Sequence, residues 1–188
     1  MNQGFDRFYG LNCQRQSHNF YPTHVWSDRK KVQLDRKHYS HTLIADECLN
    51  FIRANKGKPF FCYVPFTIPH AAMQAPEDRV APWRKKFPEF ENVTGRYGGS
   101  TIKNPVAAFA AMMTLMDEDV GRILDLLEEL GIEDDTLVIF TSDNGPHKEG
   151  GHKPVFFDSN GPLKGYKRDL YEGGIRVATT AWWPGKIE

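Results

Sequence analysis

The residues of this chain whose types and positions suit chemistry are Asp143 and Asn144, His70 and Lys167. Asp143 and Asn144 stand side by side in FTSDNGPHKEGG, directly after the apolar run TLVIFT. Together they offer hard oxygens and no soft atom, which suits Ca²⁺ or Mg²⁺ better than zinc. Two such ligands do not complete a site, because Ca²⁺ takes roughly six to eight oxygens and Mg²⁺ an octahedron, so further carboxylates have to come from elsewhere. Asp, Asn, Gly and Pro are also the commonest turn residues, and an ordinary turn remains open. His70 follows PFFCYVPF through Thr67-Ile68-Pro69. A histidine there can protonate a leaving group or bind an oxyanion, or it can be a structural or solvated loop residue. Lys167, in GPLKGYKRDLYEGGIRV, lies between Lys164 and Arg168 and ahead of Gly173-Gly174. That loop can bring an ammonium to an anion along a tight backbone path, or it can be a solvated charged face.

These residues need elements to position them. At 188 residues, with 40% hydrophobic and 13% aromatic content, the chain is long enough for one domain with a core. Lysine plus arginine and aspartate plus glutamate each total 24, so the basic excess of a nucleic-acid partner is absent. No apolar run approaches the roughly 18 residues of a membrane span. Cys13, Cys48 and Cys62 show no CxxC or other zinc or redox spacing, and Cys48 and Cys62 read as core.

Residues 1 to 35 show no sustained period and read as a loop-dominated segment. Helical spacing of Leu43, Ile44, Cys48, Phe51 and Ile52 predicts a helix from Tyr39 to Asn55, capped by Ser40 and stopped near Gly57. PFFCYVPF, Pro59 to Phe66, predicts a buried strand. Proline and a Gly-Gly pair make Ile68 to Asn104 a long connection with one short helical turn. Asn104-Pro105 opens a long helix whose apolar stripe, including Met112, Met113 and Met116, runs to Gly131. Thr136 to Thr141 predicts a strand buried on both faces, and Arg176 to Trp183 a further strand. A strand, long connection, helix and strand in succession argue for an α/β layered fold with a largely parallel sheet. In such sheets ligands bind beyond the carboxyl ends of the strands, where Asp143, Asn144 and His70 stand.

In order, GFDRFYG, YVPFTIPHAAMQAP, MDEDVGRILDLLEELGIEDDTLVIFTSDNG, and GPLKGYKRDLYEGGIRV closing in WWPGKI resemble consecutive blocks of the formylglycine-dependent sulfatases of the arylsulfatase A-like type. SDNG directly after a strand and YEGGIRV about thirty residues on are the most specific of these. The resemblance implies an alkaline-phosphatase-like α/β sandwich, with a largely parallel central sheet flanked by helices, that hydrolyses sulfate monoesters of a sulfated carbohydrate or aryl ester at one Ca²⁺ ion. It also implies roles. Asp143 and Asn144 match the second pair of calcium ligands, His70 the histidine that contacts the sulfate and protonates the departing alcohol, and Lys167 the lysine that neutralises a sulfate or leaving-group oxygen. Among loop histidines, His18, His147 and His152 are implied as candidates for lining the substrate pocket, and Lys164 is left on the surface.

Three features of that family are missing from these residues: the Cys/Ser-x-Pro-x-Arg that yields the formylglycine nucleophile, the first aspartate pair, and a Lys-x-His block before GFDRFYG. The expectation is therefore that residues 1 to 188 are the second half of a catalytic domain, a partial domain and internal fragment inactive by itself. Nucleophile and remaining calcium ligands are expected upstream, and a periplasmic, extracellular or lysosome-like compartment is expected from the resemblance. The expected partner is a sulfated small molecule or polysaccharide, with no nucleic acid and no membrane span. The alternatives are a non-catalytic remnant or binding module, or a phosphodiesterase or phosphatase of the same superfamily with an upstream Thr or Ser nucleophile.

Overall fold

The computed structural model describes residues 4–187. Its longest element is helix α4, Pro105–Glu129, around which the rest is arranged. Earlier in the chain come strand β1 (Tyr9–Gly10), the four-residue helix α1 (Gln14–Ser17), strands β2 (His24–Ser27) and β3 (Lys30–Gln33), helix α2 (Ser40–Asn55), helix α3 (Glu77–Lys86) and strands β4 (Thr94–Tyr97) and β5 (Ser100–Lys103). After α4 come β6 (Val138–Phe140), a short helix α5 (Glu172–Ile175) and β7 (Thr180–Trp182). The strands form three small sheets, β1-β2-β3, β4-β5 and β6-β7, and every pair among the described residues is antiparallel. The parallel part of the expected sheet is thus not made by these strands. No helix among the described residues is long and apolar enough to cross a membrane.

Local rules place α4. Asn104, fully buried with its backbone in the left-handed region at φ 46°, accepts a hydrogen bond from the Ala107 amide at 3.0 Å and fixes the first turn, with Pro105 next to it. At the far end Gly131 takes φ 64° and donates to Glu128 O at 2.9 Å, while Ile132 N donates to Leu127 O at 3.0 Å, closing the last carbonyls. Met112 and Met116 are buried as the stripe requires, but Met113 lies off it and faces solvent.

Two apolar clusters flank this helix. One joins Phe20, Tyr39, Ile68, Met73, Met112 and Met116; the other packs Cys48, Leu49 and Ile52 of α2 against Leu126 and Leu127. The buried His41 of α2 meets Asp119 at 2.8 Å, and Arg122 donates to both Asp119 and Asp46 at 2.7 Å. These contacts bind α2 to α4 and keep the Asp119 carboxyl below its usual range: burial opposes this, but His41 and Arg122 outweigh it.

Several sequence expectations change. Residues 4 to 35 are mostly loop, as expected, but β2 and β3 within them form a hairpin turned by Asp28 and Arg29. Arg7 holds it down by donating to Ser27 at 2.8 Å and Asp28 at 2.7 Å while also binding Glu47 of α2. Tyr39, not Ser40, is the N-cap of α2, and no side chain completes that cap. The Ser40 hydroxyl is buried without a partner among the described residues. Ile68 to Asn104 holds more than one helical turn, for it contains all of α3 and the β4-β5 hairpin. Pro59 to Phe66 joins no sheet, although its side chains alternate: Phe60, Cys62 and Val64 pack toward α2 and α4, while Phe61 and Tyr63 are 74% and 67% exposed. The strand after α4 is exposed too, with Ile139 60% and Phe140 42% accessible on opposite faces, so it is not buried on both sides. Arg176 to Trp183 shortens to β7, because only Thr180 to Trp182 pair with Val138 to Phe140 of β6.

Candidate functional site

Four loops meet at one place. The first, after Pro59 to Phe66, carries His70, which sits in a turn closed by His70 N donating to Thr67 O at 3.1 Å. The second leaves β6 as Ser142-Asp143-Asn144-Gly145-Pro146-His147. A third carries Lys167, in a tight turn closed by the Asp169 amide on Tyr166 O at 2.8 Å and by the Asp169 carboxylate on the Tyr166 amide at 2.9 Å. His18 arrives from the end of α1.

Glycines allow the second and third loops to touch backbone on backbone. A Cβ on Gly145 would lie 1.9 Å from Gly173 O, and one on Gly174 would lie 2.2 Å from Asp169 O, so neither position has room for a side chain. Gly145 N donates to Gly174 O at 2.9 Å, and Lys167 N donates to Pro146 O at 3.0 Å. The glycines of SDNG and YEGG are therefore a packing requirement of this site.

The same set of contacts brings His70 and Lys167 together, with Lys167 Nζ 3.4 Å from His70 Nε2. Lysine has only donors, so it donates and the imidazole accepts at Nε2. Burial lowers the His70 pKa to about 4, with Lys167, His18 and His147 adding to the effect. The ring is neutral at pH 7. His18 stacks on it with centroids 4.9 Å apart, and Tyr97 meets it edge-on at 5.7 Å. Its Nδ1 is buried without a partner among the described residues.

The remaining histidines divide. His18 fits a pocket-lining position, since it is only half-buried and lies against His70. His147 and His152 are buried and serve the scaffold. His147 Nε2 donates to Pro69 O at 3.1 Å, holding the residue before His70, while its Nδ1 lies 3.4 Å from Glu149, whose other oxygen pairs with Arg168. His152 stacks on Phe109 at 3.8 Å, and burial lowers its pKa to about 3. Burial depends on the fold, so the sequence alone did not reveal the bridge through His147. Lys164 lies 3.9 Å over the Tyr171 ring, a surface contact away from His70.

Asp143 is exposed and Asn144 half-buried on the rim after β6. The Asn144 amide donates to Gly145 O at 3.0 Å, which leaves its carbonyl oxygen as an available ligand. Asp143 and Asn144 thus fit a hard cation in chemical type. They do not complete its shell, because no group of three or more His, Cys, Asp or Glu among the described residues converges as a metal site. The three cysteines are free thiols, with Cys48 and Cys62 Sγ 3.7 Å apart in the second core cluster and Cys13 exposed.

Known proteins resemble this chain in sequence and in fold. The chain is 31% identical over 191 residues to the uncharacterized sulfatase YdeN of Escherichia coli (strain K12), an alignment that takes in all of this chain and 30% of that protein. It is 36% identical over 152 residues to N-acetylgalactosamine-6-sulfatase of Rattus norvegicus, covering 77% of this chain and 24% of the relative. The crystal structure of Ps i-CgsB in complex with k-i-k-neocarrahexaose superposes with a TM-score of 0.72 and 28% identity over 97% of this chain and 40% of that one. The chain thus shares the alkaline-phosphatase-like sulfatase fold while spanning less than a third of the length of these two relatives. The sulfatase family profile matches residues 1–188, and the chain belongs to the sulfatase family.

Proposed function

We propose that this chain supplies part of the active site of an enzyme that hydrolyses sulfate monoesters of a sulfated carbohydrate. The observation that carries this reading is the 3.4 Å approach of Lys167 Nζ to His70 Nε2, on loops tied to the Asp143-Asn144 turn by the Lys167 N to Pro146 O bond. Two relatives point to the substrate class: one is named for N-acetylgalactosamine 6-sulfate, and one structure holds a neocarrahexaose.

The chemistry of the pair follows from its electrostatics. Without substrate, Lys167 donates to a neutral His70. An anionic sulfate ester entering between them takes over the lysine's hydrogen bond and favours the protonated imidazole. His70 is then placed to donate to the oxygen of the departing alcohol, while Lys167 stays on the oxygens where charge grows. Asp143 and Asn144 would hold Ca²⁺ together with ligands from outside these residues, and that ion would supply charge stabilisation for the sulfate oxygens. In this reading the nucleophile is a formylglycine from outside the 188 residues, since Cys13, Cys48 and Cys62 lie in no Cys/Ser-x-Pro-x-Arg. The chain alone therefore has little or no turnover, and the compartment proposed for the enzyme is periplasmic, extracellular or lysosome-like.

The test is sulfate release by the longer protein containing these residues, with sulfated oligosaccharides and matched phosphate monoesters as substrates. Sulfate release that collapses in His70→Ala and Lys167→Ala is the expected result. Preferential hydrolysis of the phosphate esters would replace the sulfatase reading with a phosphatase one.

A further inference from the structure

Between α1, the chain that follows it and β2 lies an open cleft of about 400 Å³, outside the contacts described above. Its lining includes Arg15, Arg36, Trp26, Asn12 and Asn19, and no acidic residue. In a chain with equal numbers of acidic and basic residues this is a local cationic site. Arg7, Arg79, Arg84, Arg122, Arg168 and Arg176 all pair with carboxylates, whereas Arg15 and Arg36, like Arg53 and Arg96 elsewhere, make no ion pair among the described residues. The wall is held in place by Gln16 Nε2, which donates to His24 O at 2.6 Å and pins α1 to β2. Asn19 accepts from Tyr21 N at 3.1 Å through Oδ1, so its amide group remains to donate.

The position of the cleft relates it to the candidate site. Cys13, Arg15 and Gln16 line it from α1 and its N-cap, and the C-cap of the same helix is His18, the ring stacked on His70. Four helical residues rise roughly 6 Å, so the two places are near neighbours on one surface.

We propose that this cleft is a second sugar subsite, which binds a sulfated residue of the carbohydrate chain next to the sugar whose ester meets His70 and Lys167. The proposal rests on the sulfatase reading for that placement. Trp26 offers an indole face to the apolar side of a pyranose ring. Arg15 and Arg36 offer planar forks that pair with a tetrahedral oxyanion through two parallel N–H donors, as they do with phosphate. Asn12 and Asn19 supply amides for the hydroxyls. Such a subsite would make the enzyme prefer oligosaccharides sulfated on more than one unit.

Cys13 gives a readout that does not depend on turnover, because it is exposed and lines the cleft, while Cys48 is buried and Cys62 half-buried. The rate of maleimide labelling at Cys13 in the 188-residue chain is measured with a sulfated carrageenan hexasaccharide and with its desulfated counterpart. Cys13→Ser serves as the blank. The sulfated probe is expected to slow labelling about tenfold when present at about ten times its Kd. The desulfated probe is expected to do little. Arg15→Ala with Arg36→Ala, both at exposed positions that leave the fold intact, should abolish the slowing; His70→Ala with Lys167→Ala should keep it. The proposal is overturned by an unchanged labelling rate at millimolar sulfated probe, by equal slowing with the desulfated one, or by slowing that survives loss of both arginines. Slowing in the longer protein that carries the nucleophile, if that protein releases no sulfate, would uphold the cleft and remove the sulfatase reading. Sulfate release without slowing would do the reverse.

Discussion

Lys167 Nζ lies 3.4 Å from His70 Nε2, across 97 residues of sequence. In the proposed reaction both groups meet the ester where its alcohol departs, so their removal should act on the chemical step more than on ground-state binding. Lys167→Ala in the catalytically competent protein should lower kcat about 10²- to 10³-fold, the usual cost of losing one donor to a developing oxyanion. His70→Ala should lower it about 10²- to 10⁴-fold for an ester with a poor leaving group. The loss should shrink for an aryl sulfate whose phenol leaves without protonation. Steady-state kinetics on paired alkyl and aryl sulfates measures this, and equal losses on both would remove His70 from the role of acid.

Burial also makes these histidines report on pH. An unfolded histidine titrates near 6.5, whereas His70 and His152 titrate at about 4 and about 3 in the folded chain. Between about pH 6.5 and pH 4 the unfolded state binds more protons, so stability falls as pH drops through that window and is unaffected by these groups above it. His152 is enclosed by Phe109, Phe157 and His147. His152→Phe should therefore flatten the decline of the urea midpoint between pH 7 and pH 4.5. A slope equal to that of the unaltered chain would show that His152 does not contribute.

What could be read in the sequence was local. Asn104, Pro105 and Gly131 carry the start and stop of α4 in their own backbone preferences, and the structure keeps both. The β2-β3 hairpin carried no such signal, because β3 is exposed along its whole length and shows no apolar alternation. TLVIFT and PFFCYVPF are apolar enough to read as buried strands, yet burial depends on what lies across from them, and Ile139, Phe61 and Tyr63 are left largely exposed. Residue types at the site were legible through their blocks. The meeting of His70 with Lys167, and the bridge from His147 to Pro69, follow from loop packing that no spacing encodes.

Asn104 links that legible part to stability. Its Oδ1 caps α4 through Ala107 N, and its Nδ2 donates to Phe87 O at 3.0 Å and Glu91 at 3.3 Å, all from a left-handed backbone. Asn104→Ala removes the cap, leaves the Phe87 carbonyl without this donor and keeps a non-glycine at positive φ. The sum should be a loss of about 2 to 4 kcal/mol. Asn104→Ser keeps a neutral cap acceptor and should lose less. Urea titration of both variants decides this, and equal losses would show that the cap contributes nothing beyond the Nδ2 bonds.

Gly145 tests whether the site depends on loop contact. A Cβ there would meet Gly173 O at 1.9 Å and Gly174 Cα at 3.0 Å, and both obstacles are backbone atoms that cannot swing aside. Gly145→Ala must therefore push the SDNG and YEGG loops apart, break the Gly145 N to Gly174 O bond, and carry Pro146 away from Lys167 N. Overpacking of this kind costs about 1 to 3 kcal/mol, which in a chain of this size lowers Tm by roughly 2 to 12 °C. Sulfate release in the complete protein should fall with it, because Lys167 and the Asp143-Asn144 pair are displaced relative to each other. Ser142→Ala is the control: its hydroxyl is exposed and donates only to Asn144 O at 3.2 Å, so both stability and turnover should stay near those of the parent. If Gly145→Ala kept the parent Tm and turnover, the backbone contact between the two loops would not be what holds the site together.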